Sequence, residues 1–141
     1  MTTSIVCIDA SFVIRLISQP AESPYRKKWS QWQNIGITIV APALIFYEVS
    51  NAFHRSAVVG QILAEEADEA LESALSLGIT LYNDSELHCR ALQLAHQLNL
   101  PAAYDAHYLA LAERLDAQFW TSDRRLVNAV QTTLTWVNLV V

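Results

Sequence analysis

Short apolar runs recur along this chain, and each is followed by a stretch with helical spacing. Residues 4–8, 37–40, 79–82, 118–121 and 134–140 read as strands. The first is the clearest, a β-branched run without polar alternation, as expected of a strand buried on both faces. Residues 11–18, 22–33, 43–58, 63–77, 86–98, 104–115 and 124–130 read as helices. Strands that alternate with helices imply parallel β-α-β units and a sheet covered on both sides. The punctuation agrees. Pro42 suits a first helical turn, Gly36 and Gly78 suit helix ends, and Asn83-Asp84-Ser85 supplies a cap. In the acid-rich segment 63–77, Leu63, Ala67, Ala70, Leu71 and Leu75 fall at helical spacing.

With 141 residues, 52% hydrophobic and 16% charged, the chain fits one domain, residues 1–141, with a sizeable core. No apolar run reaches the roughly 18 residues of a membrane span. Met1-Thr2-Thr3-Ser4 carries no basic n-region, so no secretory leader is expected. Cys7 and Cys89 are too few for a disulfide framework. Both read as buried thiols in a reducing cytoplasm. The net charge of −5 argues against a broad nucleic-acid-binding surface. Much of it, however, is concentrated in Glu65, Glu66, Asp68, Glu69 and Glu72, while Arg15, Arg55, Arg124 and Arg125 lie close in sequence to other acids and leave room for a local basic rim.

Four of those other acids stand at punctuation points. Asp9 closes the first strand, Asp123 follows the fourth, Asp105 opens a helix, and Glu48 sits mid-helix in apolar surroundings. Ligands of open α/β sheets bind beyond the carboxyl ends of the strands, so Asp9 and Asp123 can share one crevice. A charged group on a face like that of Glu48 is costly to bury unless it is paired or bound to a metal. Local explanations exist for each. Asp9 and Asp123 can cap the helices that follow, Asp105 suits a helix start, and Glu48 can be solvated or pair with Arg55. Capping does not preclude metal binding. Four acids converging on one sheet edge would make a hard-cation site, and that chemistry suggests phosphodiester hydrolysis.

The fragments Ile8-Asp9-Ala10-Ser11, Tyr47-Glu48-Val49-Ser50-Asn51-Ala52-Phe53-His54-Arg55, Tyr104-Asp105-Ala106-His107-Tyr108-Leu109-Ala110-Leu111-Ala112 and Thr121-Ser122-Asp123-Arg124-Arg125-Leu126 occur in this order. Together the chain resembles PIN-domain ribonucleases, and among them the toxins of VapBC-type toxin–antitoxin pairs. The resemblance implies a three-layer α/β/α sandwich with a central, mostly parallel sheet of about five strands. It implies a Mg²⁺- or Mn²⁺-dependent endoribonuclease acting on RNA, for which a tRNA or rRNA loop is a possible target. Asp9, Glu48, Asp105 and Asp123 match the acidic quartet, as catalytic residues and metal ligands. Ser11 and Thr121 match the accessory hydroxyl positions. A VapB-like antitoxin, which would lay a helix or tail near residues 43–53 and 62–77, and a homodimer are the implied partners.

Two other readings remain open. A PIN-like fold can serve as a catalytically silent RNA- or protein-binding module. An aspartyl-phosphate phosphotransferase would also place an Asp after the first strand, but the residue two beyond Asp9 is Ser11, and Arg124 and Arg125 stand where a lysine would be wanted. The histidines read as structural: His107 is two residues from Asp105 and off its helix face, and His54, His88 and His96 lack metal-ligand spacing. Trp29 and Trp32, three apart, read as packing aromatics, with base stacking as the alternative. Trp120 reads as core.

Overall fold

A computed structural model describes residues 4–141. Residues 1–3, where no leader is expected, lie outside the described residues. The elements follow in the order β1 (Ile5–Ile8), α1 (Ala10–Ser18), α2 (Pro24–Asn34), β2 (Thr38–Pro42), α3 (Leu44–Val58), α4 (Ala64–Leu75), β3 (Thr80–Tyr82), α5 (Ser85–Gln97), α6 (Tyr104–Arg114), β4 (Gln118–Thr121), α7 (Arg124–Val130) and β5 (Val137–Leu139). The five strands form one sheet in the order β3-β2-β1-β4-β5. All four pairings are parallel, with Cys7 opposite both Val40 and Phe119. The sheet is therefore parallel throughout.

Side-chain alternation sorts the two layers. Cys7 faces α6, its thiol donating to the Tyr108 carbonyl oxygen at 3.7 Å, and Phe119 packs on the Tyr108 ring at 6.1 Å. On the other face, Phe12 of α1 meets Tyr25 edge-on at 5.2 Å and stacks on Trp32 at 5.4 Å. Trp32 reaches Trp120 of β4 at 6.2 Å, and Trp29 meets Trp32 at 6.5 Å. The tryptophans of α2 thus dock that helix on the sheet, which favours the packing reading. Trp120 is only half-buried, and Lys28 Nζ lies 3.8 Å above its ring.

Local chemistry sets the boundaries. Side chains of Asp9, Ser23, Asp84 and Asp123 each accept a backbone N–H in the first turn of the following helix, relieving donors that have no intrahelical partner. Asn99 and Asp116, both at φ 52°, end α5 and α6 in the left-handed region that Asn and Asp tolerate best after glycine. Three expectations are corrected. Pro42 ends β2 opposite Tyr82 instead of opening a helix; at a strand end, its missing N–H costs the ladder little. The last strand shortens to Val137–Leu139. Cys89 is exposed on α5, whereas Cys7 is buried. No helix among the described residues is long and apolar enough to cross a membrane.

Candidate functional site

β1 lies at the point where strand order reverses, with β2 and β3 to one side and β4 and β5 to the other. In open α/β sheets ligands bind beyond the carboxyl ends of the strands at such a point. Asp9 follows β1 directly and Asp123 lies in the loop after β4, while Asp105 lies in the first turn of α6.

Asp9 is 5% exposed, and both of its oxygens are occupied. Oδ1 accepts from Ser11 Oγ at 2.7 Å and Phe12 N at 3.0 Å; Oδ2 accepts from Thr121 Oγ1 at 2.5 Å. The same hydroxyls tie the neighbouring loop in place. Ser122 N donates to Ser11 Oγ at 3.1 Å, and Asp123 N donates to Thr121 Oγ1 at 3.0 Å. Ser11 and Thr121, predicted as accessory hydroxyls, therefore couple the end of β1 to the loop after β4. Asp123 Oδ1 accepts from Leu126 N at 3.1 Å. The capping expected of Asp9 and Asp123 is real.

Glu48 does not pair with Arg55, as one local explanation supposed. Its Oε1 accepts from the Tyr108 hydroxyl at 2.5 Å, across 60 residues of sequence. Tyr108 is 1% exposed and is the largest fully buried side chain. Sequence reasoning missed this residue. The available signal was its position three residues after Asp105, on the same face of α6. Burial first, then the negative charge of Glu48, pushes the phenol far above its ordinary value, so it stays protonated and donates.

Two of the four predicted carboxylates, Asp9 and Asp105, respond to burial and to neighbouring acids. Burial lifts the Asp9 carboxyl to about 6, against the lowering hydrogen bonds from Thr121, Ser11 and Phe12, with the charge of Asp105 adding to the rise. Asp105 is raised by burial and then by the charges of Asp123 and Glu48. Like charges sharing a small volume hinder one another's ionisation, and a cation would relieve this. The donors are all oxygen, which suits a hard divalent ion. Among the described residues no three His, Cys, Asp or Glu side chains are gathered closely enough to form a ready-made metal cluster. An ion held by these oxygens would have to keep much of its own water.

Two open depressions adjoin these acids. One, of about 370 Å³, is lined by Asp105, Asp123 and Arg125 together with Leu100, Pro101 and Leu126. The other, of about 280 Å³, is lined by Leu44, Tyr47, Glu48, Asn51 and Tyr104. His107 turns away from the acids: Nδ1 donates to the Ala103 carbonyl oxygen at 2.7 Å, and Nε2 meets His88 Nδ1 at 2.9 Å. Its structural reading stands, but the link to His88, between α5 and α6, was not visible in the spacing.

A parallel sheet ordered 3-2-1-4-5 with carboxylates at its switch point places the molecule among α/β proteins with an acidic candidate site beyond the carboxyl ends of the strands. The chain belongs to the PIN domain family, whose model matches residues 6–130. Among solved structures, it is similar to PAE2754 from Pyrobaculum aerophilum, at 27% identity over 88% of this chain and 84% of that one, with a TM-score of 0.67. It also resembles a toxin–antitoxin complex from Klebsiella pneumoniae, at 16% identity over 96% and 98% of the two chains, with a TM-score of 0.71. VapC20 from Mycobacterium tuberculosis, described as a sarcin-ricin loop cleaving toxin, shares 16% identity over 89% and 95%, with a TM-score of 0.62. The last two likenesses concern the fold. No curated protein matches the chain.

Proposed function

We propose that this protein is a Mg²⁺- or Mn²⁺-dependent endoribonuclease that acts as the toxin of a toxin–antitoxin pair. The observation that carries the reading is the placement of Asp9 and Asp123 after the neighbouring strands β1 and β4 at the switch point of a PIN-family sheet, with Asp105 close enough for its charge to act on Asp9 and for those of Asp123 and Glu48 to act on it. In this reading the four acids hold the cation, directly or through water. Such an ion supplies Lewis-acid activation of water and neutralises charge on the phosphate.

The chain's own groups do the positioning. Ser11 and Thr121 fix Asp9, and Tyr108 fixes Glu48, so that neither carboxylate has to reorganise during reaction. Arg125, at the rim beside Asp105 and Asp123, is placed to meet a backbone phosphate. Asp9 suits an anchor better than a nucleophile, because both its oxygens are engaged and it is almost fully buried. Water attack in line leaves 5′-phosphate and 3′-hydroxyl ends; 2′,3′-cyclic phosphate products from pure protein would sink this chemistry.

The partner is proposed to be a VapB-like antitoxin, with a homodimer as the toxin's own assembly. Supporting it, α3, α4 and the loop between them present exposed apolar side chains at Val58, Val59, Leu63 and Leu75. The RNA target is proposed to be a structured loop of tRNA or rRNA, in keeping with what the VapC20 neighbour is described as cleaving. Two free thiols suit a cytoplasmic location.

The test is cleavage of a mixed pool of single-stranded RNA and tRNA with Mg²⁺ or Mn²⁺, with EDTA, and with Asp9→Asn. Metal-dependent cutting that vanishes in the variant supports the proposal. Folded protein that neither cuts nor gains thermal stability from metal would instead support the silent binding module.

A further inference from the structure

Tyr47 is 75% exposed and Tyr104 is 64% exposed. Tyr47 immediately precedes Glu48 on α3, and Tyr104 immediately precedes Asp105 at the start of α6. Both residues line one depression of about 280 Å³, with Glu48, Leu44 and Asn51 completing it. Leu44, Tyr47, Glu48 and Asn51 are spaced i, i+3, i+4 and i+7, and therefore share one face of α3. A large aromatic left in water forgoes the stabilisation of burial, and here two do so in one depression that Glu48 also lines. Asn51 is exposed beside them, with amide groups that both donate and accept.

We propose that Tyr47 and Tyr104 form a stacking subsite for an unpaired nucleobase of the RNA, next to the scissile phosphate. This deepens the nuclease reading and rests on it. The charge of the chain favours such a device. With 14 acidic residues against 9 lysines and arginines, the protein has little means of holding RNA by phosphate contacts alone. Stacking on an aromatic face is independent of net charge and tolerant of base identity. It also demands a base out of its helix, so the subsite selects single-stranded or loop RNA over duplex. Asn51 then offers hydrogen bonds to the base edge, the group on this face suited to discriminate one base from another.

The experiment measures binding by fluorescence anisotropy, using a labelled single-stranded RNA dodecamer with Ca²⁺ present and the cleavage-blocked Asp9→Asn chain. Single additions of Tyr47→Ala and Tyr104→Ala should each weaken binding about 10-fold or more, while Tyr47→Phe and Tyr104→Phe should bind like the parent. Removing bases from the RNA by abasic substitution should abolish the difference between Tyr and Ala. Because both side chains are exposed, the variants should keep the parental melting temperature. If the Asp9→Asn chain binds RNA and the alanine variants bind it equally well, the subsite is overturned while the nuclease stands. A change of oligomeric mass in light scattering without loss of RNA affinity also overturns it, because the face then holds a second copy of the chain. If the wild-type chain neither cuts nor binds RNA, the nuclease reading and the subsite fail together.

Discussion

Tyr108→Phe removes one buried oxygen and leaves the ring, and so isolates the link between α6 and α3. The hydroxyl donates to Glu48 Oε1 at 2.5 Å from a side chain that is 1% exposed. A hydrogen bond to a charged acceptor contributes about 1.5–3 kcal/mol. Two effects pull the value down: the phenol no longer needs desolvation, and the half-buried Glu48 recovers some water. A net loss of about 1–2 kcal/mol follows, or roughly 3–7 °C in melting temperature for a chain of this length. Chemical denaturation of wild type, Tyr108→Phe, Glu48→Ala and the double variant closes a thermodynamic cycle. A coupling energy of about 1 kcal/mol or more is expected. With Glu48 free to rotate, kcat should fall about 10-fold with KM little changed, the signature of an interaction that positions a group for the transition state. A coupling below about 0.3 kcal/mol, with a melting temperature unchanged from wild type, would refute the reasoning.

Three other perturbations test the same architecture. Asp9 has its pKa raised to about 6 and Asp105 is also raised, so the folded metal-free protein holds these protons longer than the unfolded chain does. For Asp9, stability is then undiminished below about pH 4, falls by about 3 kcal/mol as pH rises to about 6 and is flat above, and Asp105 adds a loss of the same sign. The opposite slope comes from Asp84, lowered to about 2 by Arg114, whose contribution is lost as pH falls from about 4 to 2. Melting curves against pH should therefore peak near pH 4 in EDTA. Asp9→Asn should flatten the fall, and Mg²⁺ should raise the melting temperature more at pH 7 than at pH 5. Thr121→Val takes a buried donor from Asp9 Oδ2 and an acceptor from Asp123 N; about 2–3 kcal/mol of stability should be lost in urea titrations, together with cleavage activity. Phe12→Ala empties the space between Tyr25 and Trp32 and should cost about 3–5 kcal/mol, read as a lowered denaturation midpoint with an unchanged slope.

Hydrophobic runs and punctuation in the sequence specify the alternation of strands and helices, because burial periodicity and capping act within a few residues of one another. Asp9, Asp84 and Asp123 were legible as caps for that reason, and the placing of Asp9, Asp105 and Asp123 at a strand end, a helix start and the loop after β4 could be read locally too. Pro42 was misread because its neighbours fit a first helical turn, and only pairing with Tyr82 shows that β2 runs on through it. Cys89 falls on the outer side of α5, a matter of how the helix is rotated against its neighbours. The order β3-β2-β1-β4-β5 depends on contacts between segments far apart in the chain. So do the clasp of Thr121 on Asp9 across 112 residues and the bond from Tyr108 to Glu48 across 60. Short-range chemistry in the sequence chose which residues begin and end each element. Which carboxylates share a crevice, and which hydroxyls hold them there, was decided by the tertiary structure, since those hydrogen bonds exist only once the sheet brings distant strand ends together.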